Sequence, residues 1–349
     1  MSRKIALIHH QLSYGGGMET YFLDLLQALS DRGFDADVFV MRQDPKIKLP
    51  PQVSVTVLPV NRMIPRFLRK YAFAYRLMKT LDRSRYQSVI STTRSFSQDI
   101  IITGGTHKGY MKVTKHFRPQ DWIEAYLEKK AYASSTKIIA TSPSLAEELL
   151  QYYDFPEEKV VMLYPPVNLT PLMPKGTILP FPPRKETEKA GRFRLLFPST
   201  SHKRKGGFLL LAAMKLLSPD EFELWVVGKP FRQSKQLPHV KCFGFAQHLA
   251  DYFRQVDAVI LPSYFEPFGL VIPQALECGR PVIISSHVGA KALVAPEEGL
   301  VLDEQTPEAL AALIRQAKTY PFKITPGFVA RHHLTLNEHV DALLMQTLI

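Results

Sequence analysis

Residues 257–286, DAVILPSYFEPFGLVIPQALECGRPVIISS, hold two short apolar runs, DAVILPS and PVIISS, separated by a glycine-containing turn and an apolar helical pattern. Continuous apolar runs of this length, bounded by turn residues, suit strands buried on both faces. Joined through a helix, they make a βαβ unit whose strands are parallel. The loop carries one acid, Glu266, just before the turn, and Gln274 stands on the helix behind it. Loops that leave the carboxyl ends of parallel strands are where open α/β sheets bind ligands, so the lone carboxylate invites a functional question.

The same alternation extends in both directions. Further strands are read at KIALIHH, DADVFVM, VSVTVLP, SVISTT, DIIITGG and KIIATS in the first half, and at RFRLLFP, FELWVVG, VKCFGF and GLVL in the second. Between the first two lies ETYFLDLLQALSDRG, where Phe22, Leu25, Leu26 and Leu29 fall on one helical face and Gly33 follows as a stop signal. Repeated βα units predict an α/β protein of two doubly wound, Rossmann-like domains. Prolines 165, 166, 171, 174, 180, 182 and 183, followed by RKETEKAGR, mark a linker over about residues 165 to 190. The expected domains are 1–168 and 190–328, with 329–349 a final helix returning to the first.

The chain has 349 residues, 46% of them hydrophobic and 22% charged, enough for two ordinary cores. No apolar run approaches the roughly 20 residues that a bilayer span requires. The opening MSRKIALIHHQLSYGGG does not read as a signal peptide, and the spacing of Cys242 and Cys278 suits neither a zinc site nor a disulfide framework, so a cytoplasmic setting is expected. The net charge of +12 draws the chain toward polyanions: nucleic acid, anionic lipid or phosphorylated sugars.

Three strand-exit loops carry candidate chemistry. In YGGGMET, Gly15, Gly16 and Gly17 let a ligand approach the backbone before a helix N-terminus, although the spacing is not that of a dinucleotide fingerprint; the plain alternative is a flexible turn. In PSTSHKRKGG, Lys203, Arg204 and Lys205 precede two glycines and a helix, which suits either a diphosphate clamp or a solvated basic surface. In the opening stretch, the amides of Phe268, Gly269, Leu270 and Val271 can hold phosphate oxygens while Glu266 accepts from sugar hydroxyls, or Glu266 simply caps the helix.

The run from Val240 to Val301, above all PSYFEPFGLVIPQALECGRPVI, resembles the C-terminal signature of glycosyltransferase family 4, which has the two-domain GT-B fold with a ligand cleft between domains. YGGGMETYFLDLLQALSDRG, GGTHKGYM, LEKKAYASSTKIIATSPSLAEELLQYY and KVVMLYPPVN resemble the family's N-terminal domain in order, particularly in members related to the lipopolysaccharide core glucosyltransferase. The resemblance assigns Glu266 to the first acid of an E-x7-E motif, which holds donor-sugar hydroxyls, and puts Gln274 where a second acid usually holds the ribose. Glutamine still accepts through its carbonyl but forfeits the charge-assisted part of that contact. It assigns Lys205 to the diphosphate clamp, whose arginine position falls on Ser199, with Lys203 or Arg204 as candidate replacements; His107 matches a histidine near the reacting sugar, and His9 and His10 are weaker candidates.

The resemblance implies a retaining glycosyltransferase that binds the acceptor in the first domain and a nucleotide-diphosphate sugar in the second. The acceptor is a lipopolysaccharide core or a related glycan or glycolipid. No D-x-D loop is found, so neither a metal nor another cofactor is expected. A nucleotide-sugar epimerase of the same fold is the alternative, and a basic nucleic-acid-binding protein a third reading that leaves Glu266 and the glycine loops unexplained. Residues 62–85 carry Arg62, Arg66, Arg69, Lys70, Arg76, Lys79, Arg83 and Arg85 against Asp82 alone, with apolar residues at helical spacing. They suit a helix resting on the inner face of the cytoplasmic membrane, or an ordinary helix packed on the sheet with a solvated basic face.

Overall fold

The computed structural model describes residues 4–13, 17–114, 117–169, 179–181 and 191–347. The chain divides into two compact units, Met1–Pro166 together with Leu334–Ile349, and Val167–His333. Gly15 and Gly16 lie outside the described residues, and Gly17 opens the first helix.

The first unit is a parallel sheet of β1 (Lys4–Ile8), β3 (Asp35–Val40), β5 (Val53–Val57), β6 (Ser88–Ser91), β7 (Ile100–Thr103), β8 (Lys137–Ala140) and β9 (Val160–Met162), in the order β5-β3-β1-β6-β7-β8-β9. Two-residue strands β2 (Gln11–Leu12) and β4 (Arg42–Gln43) pair separately. Around the sheet lie α1 (Gly17–Asp31), α2 (Arg69–Thr80), α3 (His107–Thr114), α4 (Pro119–Ala133) and α5 (Pro143–Tyr153). Alternation along β1 sends Ile5 and Leu7 to a core shared with Phe22, Leu25 and Leu29 of α1, and Ala6 and Ile8 to the opposite core with Phe73 and Leu77 of α2. Helix α1 closes as its sequence predicts: Gly33, at φ 78°, donates to Ser30 O, and Phe34 N returns to Leu29 O. Strand β9 was not anticipated, because three partly exposed residues at a sheet edge show no readable period.

The second unit is a parallel sheet of β10 (Phe193–Ser199), β11 (Phe222–Gly228), β12 (Val240–Gly244), β13 (Ala258–Leu261), β14 (Val282–Ser285) and β15 (Gly299–Leu302), ordered β12-β11-β10-β13-β14-β15. Its helices are α6 (Gly207–Lys215), α7 (Ala250–Phe253), α8 (Val271–Glu277), α9 (Pro307–Thr319) and α10 (Phe328–Arg331). Every residue of β11 is buried, as a strand covered on both faces requires.

The returning segment begins at Leu334, not at residue 329. Residues of α10 belong to the second unit, where Val329 N donates to Glu277 Oε2 at 2.8 Å. Helix α11 (Leu336–Met345) belongs to the first: Val340 and Leu343 join the core of α1, and Asp341 pairs with Arg32 at 2.9 Å. The division at Pro166 and Val167 falls within the expected linker, of which residues 170–178 and 182–190 lie outside the described residues; Phe181 N donates to Cys278 O within the second unit.

Candidate active site

In the second unit the strand order reverses between β10 and β13, so the loops leaving these neighbours diverge and open the crevice where such sheets take ligands. The β10 loop brings Arg204 and Lys205, and the β13 loop brings Glu266. Glu266 Oε2 stands 3.0 Å from Arg204 Nη1 and 4.0 Å from Lys205 Nζ. The loops are tied by Tyr264 N donating to Arg204 O at 2.9 Å. At Gly206 (φ 75°) a Cβ would come within 1.9 Å of Pro262 O, so only glycine permits this approach. Gly269 (φ 94°) likewise turns the chain directly beneath the Glu266 side chain, where a Cβ would meet its Cγ at 3.1 Å.

Glu266 is held firmly at its backbone: its N–H donates to His287 O and its carbonyl accepts from Gly289 N. Its Oε2, however, is buried without a hydrogen bond. Arg204 Nη1 is near enough for an ion pair, but donates to Phe265 O at 2.7 Å. A buried carboxylate oxygen with an ionic neighbour and spare acceptor capacity is unusual in a purely structural role and suits a ligand hydroxyl. Burial pushes the Lys205 ammonium below the usual lysine value, opposed by Glu266 and assisted by Arg204. Removing water strengthens the attraction between these two cations and an arriving anion.

The remaining predicted residues of this unit separate. Lys203 is exposed and stands outside the ion-paired cluster. Ser199, at the end of β10, is buried with its Oγ 2.9 Å from His202 Nδ1, while His202 Nε2 donates to Lys229 O and the ring stacks on Phe231. Phe268 and Val271 are buried; Gly269 and Leu270 lead into α8 at Val271, with Ile272 N donating to Gly269 O and Gln274 N to Leu270 O. Gln274 is partly exposed one turn further on, and Glu277 is committed to α10.

In the first unit, His107 opens α3. Its N–H donates to Glu128 Oε2 at 2.8 Å, its Nε2 lies 3.0 Å from Asp121 Oδ1, and its Nδ1 lies 3.8 Å from Glu124 Oε2. With Nε2 engaged by Asp121 and the main-chain N–H by Glu128, the ring is fixed in orientation, leaving Nδ1 to meet a ligand. Beneath it, Glu128 is wholly buried, paired with Arg94 and accepting from the Tyr153 hydroxyl. Here the strand order reverses between β1 and β6, and His9 and His10 reach Thr92 and Thr93 across that gap at 2.7 and 2.8 Å.

Residues 15–170 match Glycosyltransferase Family 4, and residues 192–318 match Glycosyl transferases group 1. A probable transglycosylase of Burkholderia thailandensis is 30% identical over 94% of this chain and 91% of its own. The chain belongs to glycosyltransferase family 4.

Solved structures agree on the GT-B fold. WaaG, a glycosyltransferase involved in lipopolysaccharide biosynthesis, superposes with a TM-score of 0.74 at 17% identity, covering 99% of this chain and 95% of WaaG. Anabaena HepE, solved in complex with UDP-glucose, superposes at 0.70 and 17% identity over 98% and 99%. Within this family 4 glycosyltransferase, sequence reading missed His202, Arg94, Asp121 and Glu128. His202 was legible only as part of a basic loop, and Arg94 only as the residue closing SVISTTR. Asp121 and Glu128 are seven residues apart on α4, a spacing that marks one helical face but not which face is inward.

Proposed function

We propose that this glycosyltransferase moves a sugar, with retention at the anomeric carbon, from a nucleotide-diphosphate donor to a lipopolysaccharide core or related glycolipid acceptor. The single observation that carries the reading is Glu266 Oε2, buried and without a hydrogen bond, beside Arg204 and Lys205 where the sheet order reverses. In this reading Glu266 accepts from hydroxyls of the donor sugar, Lys205 and Arg204 hold the diphosphate with the amides of Gly269 to Val271, and Gln274 takes the ribose. Complexes of HepE with UDP-glucose and the part WaaG plays in lipopolysaccharide biosynthesis support the donor and acceptor classes.

The proposed step is a front-face substitution. The bond from the anomeric carbon to the phosphate oxygen breaks, the acceptor oxygen bonds on the same face, and the acceptor proton passes to the departing phosphate. The two cations stabilise the charge that develops on that phosphate, so the step runs without a metal ion. His107, fixed by Asp121, orients the sugar. The protein is placed in the cytoplasm, against the inner face of the membrane.

A thermal-shift screen of UDP-, GDP- and ADP-sugars, followed by mass and anomeric analysis of products with lipopolysaccharide-core acceptors in the presence of EDTA, tests the proposal. Stabilisation by one donor and an EDTA-resistant product of retained configuration are expected. Conversion of the donor without acceptor, or an inverted product, overturns it.

A further inference from the structure

The two places where a sheet reverses its order carry different charge balances. In the second unit two cations, Arg204 and Lys205, face one carboxylate, Glu266, and that excess suits a diphosphate. In the first unit, where β1 gives way to β6, the described charged side chains gathered around His107 are Lys70 and Arg94 against Asp121, Glu124 and Glu128. These groups leave no positive excess for a further anion.

Each pair is closed at short range. Lys70 Nζ donates to Glu124 Oε2 at 2.5 Å, Arg94 pairs with the wholly buried Glu128, and Asp121 Oδ1 stands 3.0 Å from His107 Nε2. The lysines of the neighbouring α3 are spent on α5: Lys108 Nζ donates to Tyr152 O at 2.6 Å and Lys112 Nζ to the Tyr152 hydroxyl at 2.9 Å. A phosphate bound here would have to draw a cation from the carboxylate that already holds it, and would then lie beside like charges in a partly desolvated setting. Hydrogen-bonding capacity, not charge, is what this cluster still offers. Glu124 Oε1 accepts no hydrogen bond among the described residues, Lys70 spends only one of its donors on Glu124, and Arg94 Nε is buried without an acceptor. Lys70 and Glu124 keep 18% and 14% of their side chains exposed, enough for a ligand to reach them. Glu124 Oε2 is 3.8 Å from His107 Nδ1, the nitrogen left to meet a ligand.

We infer that Lys70 and Glu124 hold two neighbouring hydroxyls of the acceptor sugar beside His107, and that the acceptor group bound here carries no phosphate. One hydroxyl donates to the Glu124 carboxylate and the next accepts from the Lys70 ammonium, so the ion pair is completed by a neutral diol instead of being broken by an anion. Because α2 supplies the lysine and α4 the acid, neither segment alone shows the pair. The inference deepens the proposed transfer reaction and rests on it.

Lipopolysaccharide-core oligosaccharide freed of its lipid tests this by calorimetric titration into the full-length protein, once with its phosphates retained and once with them stripped by hydrofluoric acid. The two forms should bind within about twofold of each other, and raising salt from about 50 to about 300 mM should change either affinity by less than about twofold. Glu124→Gln should weaken binding of the stripped form about tenfold or more, with stabilisation by the nucleotide-sugar donor unchanged. Lys70→Met should act alike, and should that variant fail to fold, the double variant Lys70→Met with Glu124→Gln, which leaves no lone charge, carries the same expectation. Binding that falls tenfold when phosphate is stripped, competition by inorganic phosphate, or wild-type affinity in Glu124→Gln each overturns the inference. Variant-sensitive binding of an oligosaccharide that receives no sugar from any donor would instead strike the functional reading and leave the diol contact standing. Transfer to the oligosaccharide with an affinity that neither variant alters would do the reverse, and no saturable binding of either form would overturn both.

Discussion

Glu266 Oε2 lies 3.0 Å from Arg204 Nη1, joining loops that leave two different strands at the one place in the second unit where the sheet reverses its order. Neither residue could be placed against the other from its own segment. Their meeting converts a basic triplet and an isolated acid into a site with two cations, one carboxylate and an unused acceptor oxygen.

Glu266→Gln keeps the shape of the side chain and removes its charge. Sugar transfer should fall about 100-fold, roughly the 2–3 kcal/mol that a charge-assisted hydrogen bond supplies. Lys205→Ala should fall comparably through lost stabilisation of the leaving phosphate. Steady-state kinetics with both variants at an unchanged thermal midpoint checks the assignment, and two variants at wild-type rates would defeat it.

Gln274→Glu restores an acid to the position expected to hold the ribose. The KM for the donor should drop about five- to tenfold, with kcat unchanged, because an interaction made equally in ground and transition states alters binding alone. A change in kcat without a change in KM would place Gln274 elsewhere in the reaction.

Arg94→Met should be one of the most damaging single changes in the first unit. It leaves Glu128, wholly buried, without its cation, at a cost of about 3–5 kcal/mol. Adding Glu128→Gln should recover much of that loss, since an amide tolerates burial better than an unpaired carboxylate. Urea unfolding of the single and double variants measures both steps.

Two buried histidines, His9 and His339, and the half-buried His10 make the first unit sensitive to acid. Burial pushes His9 and His339 down to about 4 and His10 to about 3, the last assisted by His9, Arg94 and Lys70. His339 is held neutral between Tyr164 O and the Tyr21 hydroxyl, pinning α11 to its unit. The unfolded chain binds these protons near pH 6.5 and the folded one does not, so stability is complete above that pH. It declines as pH falls toward the folded-state values, by roughly 3 kcal/mol for His9 and for His339 and roughly 5 kcal/mol for His10 once both forms are compared below their pKa values. The midpoint of thermal unfolding should therefore drop between pH 7 and pH 5, and His339→Gln should flatten that slope.

The strands were legible because parallel sheets bury both faces, and runs such as AVIL and FELWVVG admit few other readings. Local pattern also marked α1 and the loops carrying Lys205 and Glu266. Strand β9 and the start of the return at Leu334 were not readable, since a short edge strand and a helix boundary leave little periodic signal.

What the sequence by itself determined is the order of βα units, and hence the fold, together with the chemical types available in each strand-exit loop. What the tertiary structure alone decided is which types meet. Pairing β10 with β13 brought Arg204 and Lys205 to Glu266 and left Lys203 outside. Packing α4 by its carboxylates turned Trp122 and Tyr126 outward. Periodicity is a property of neighbours along the chain, whereas the partner of a charge is set by how distant strands are ordered.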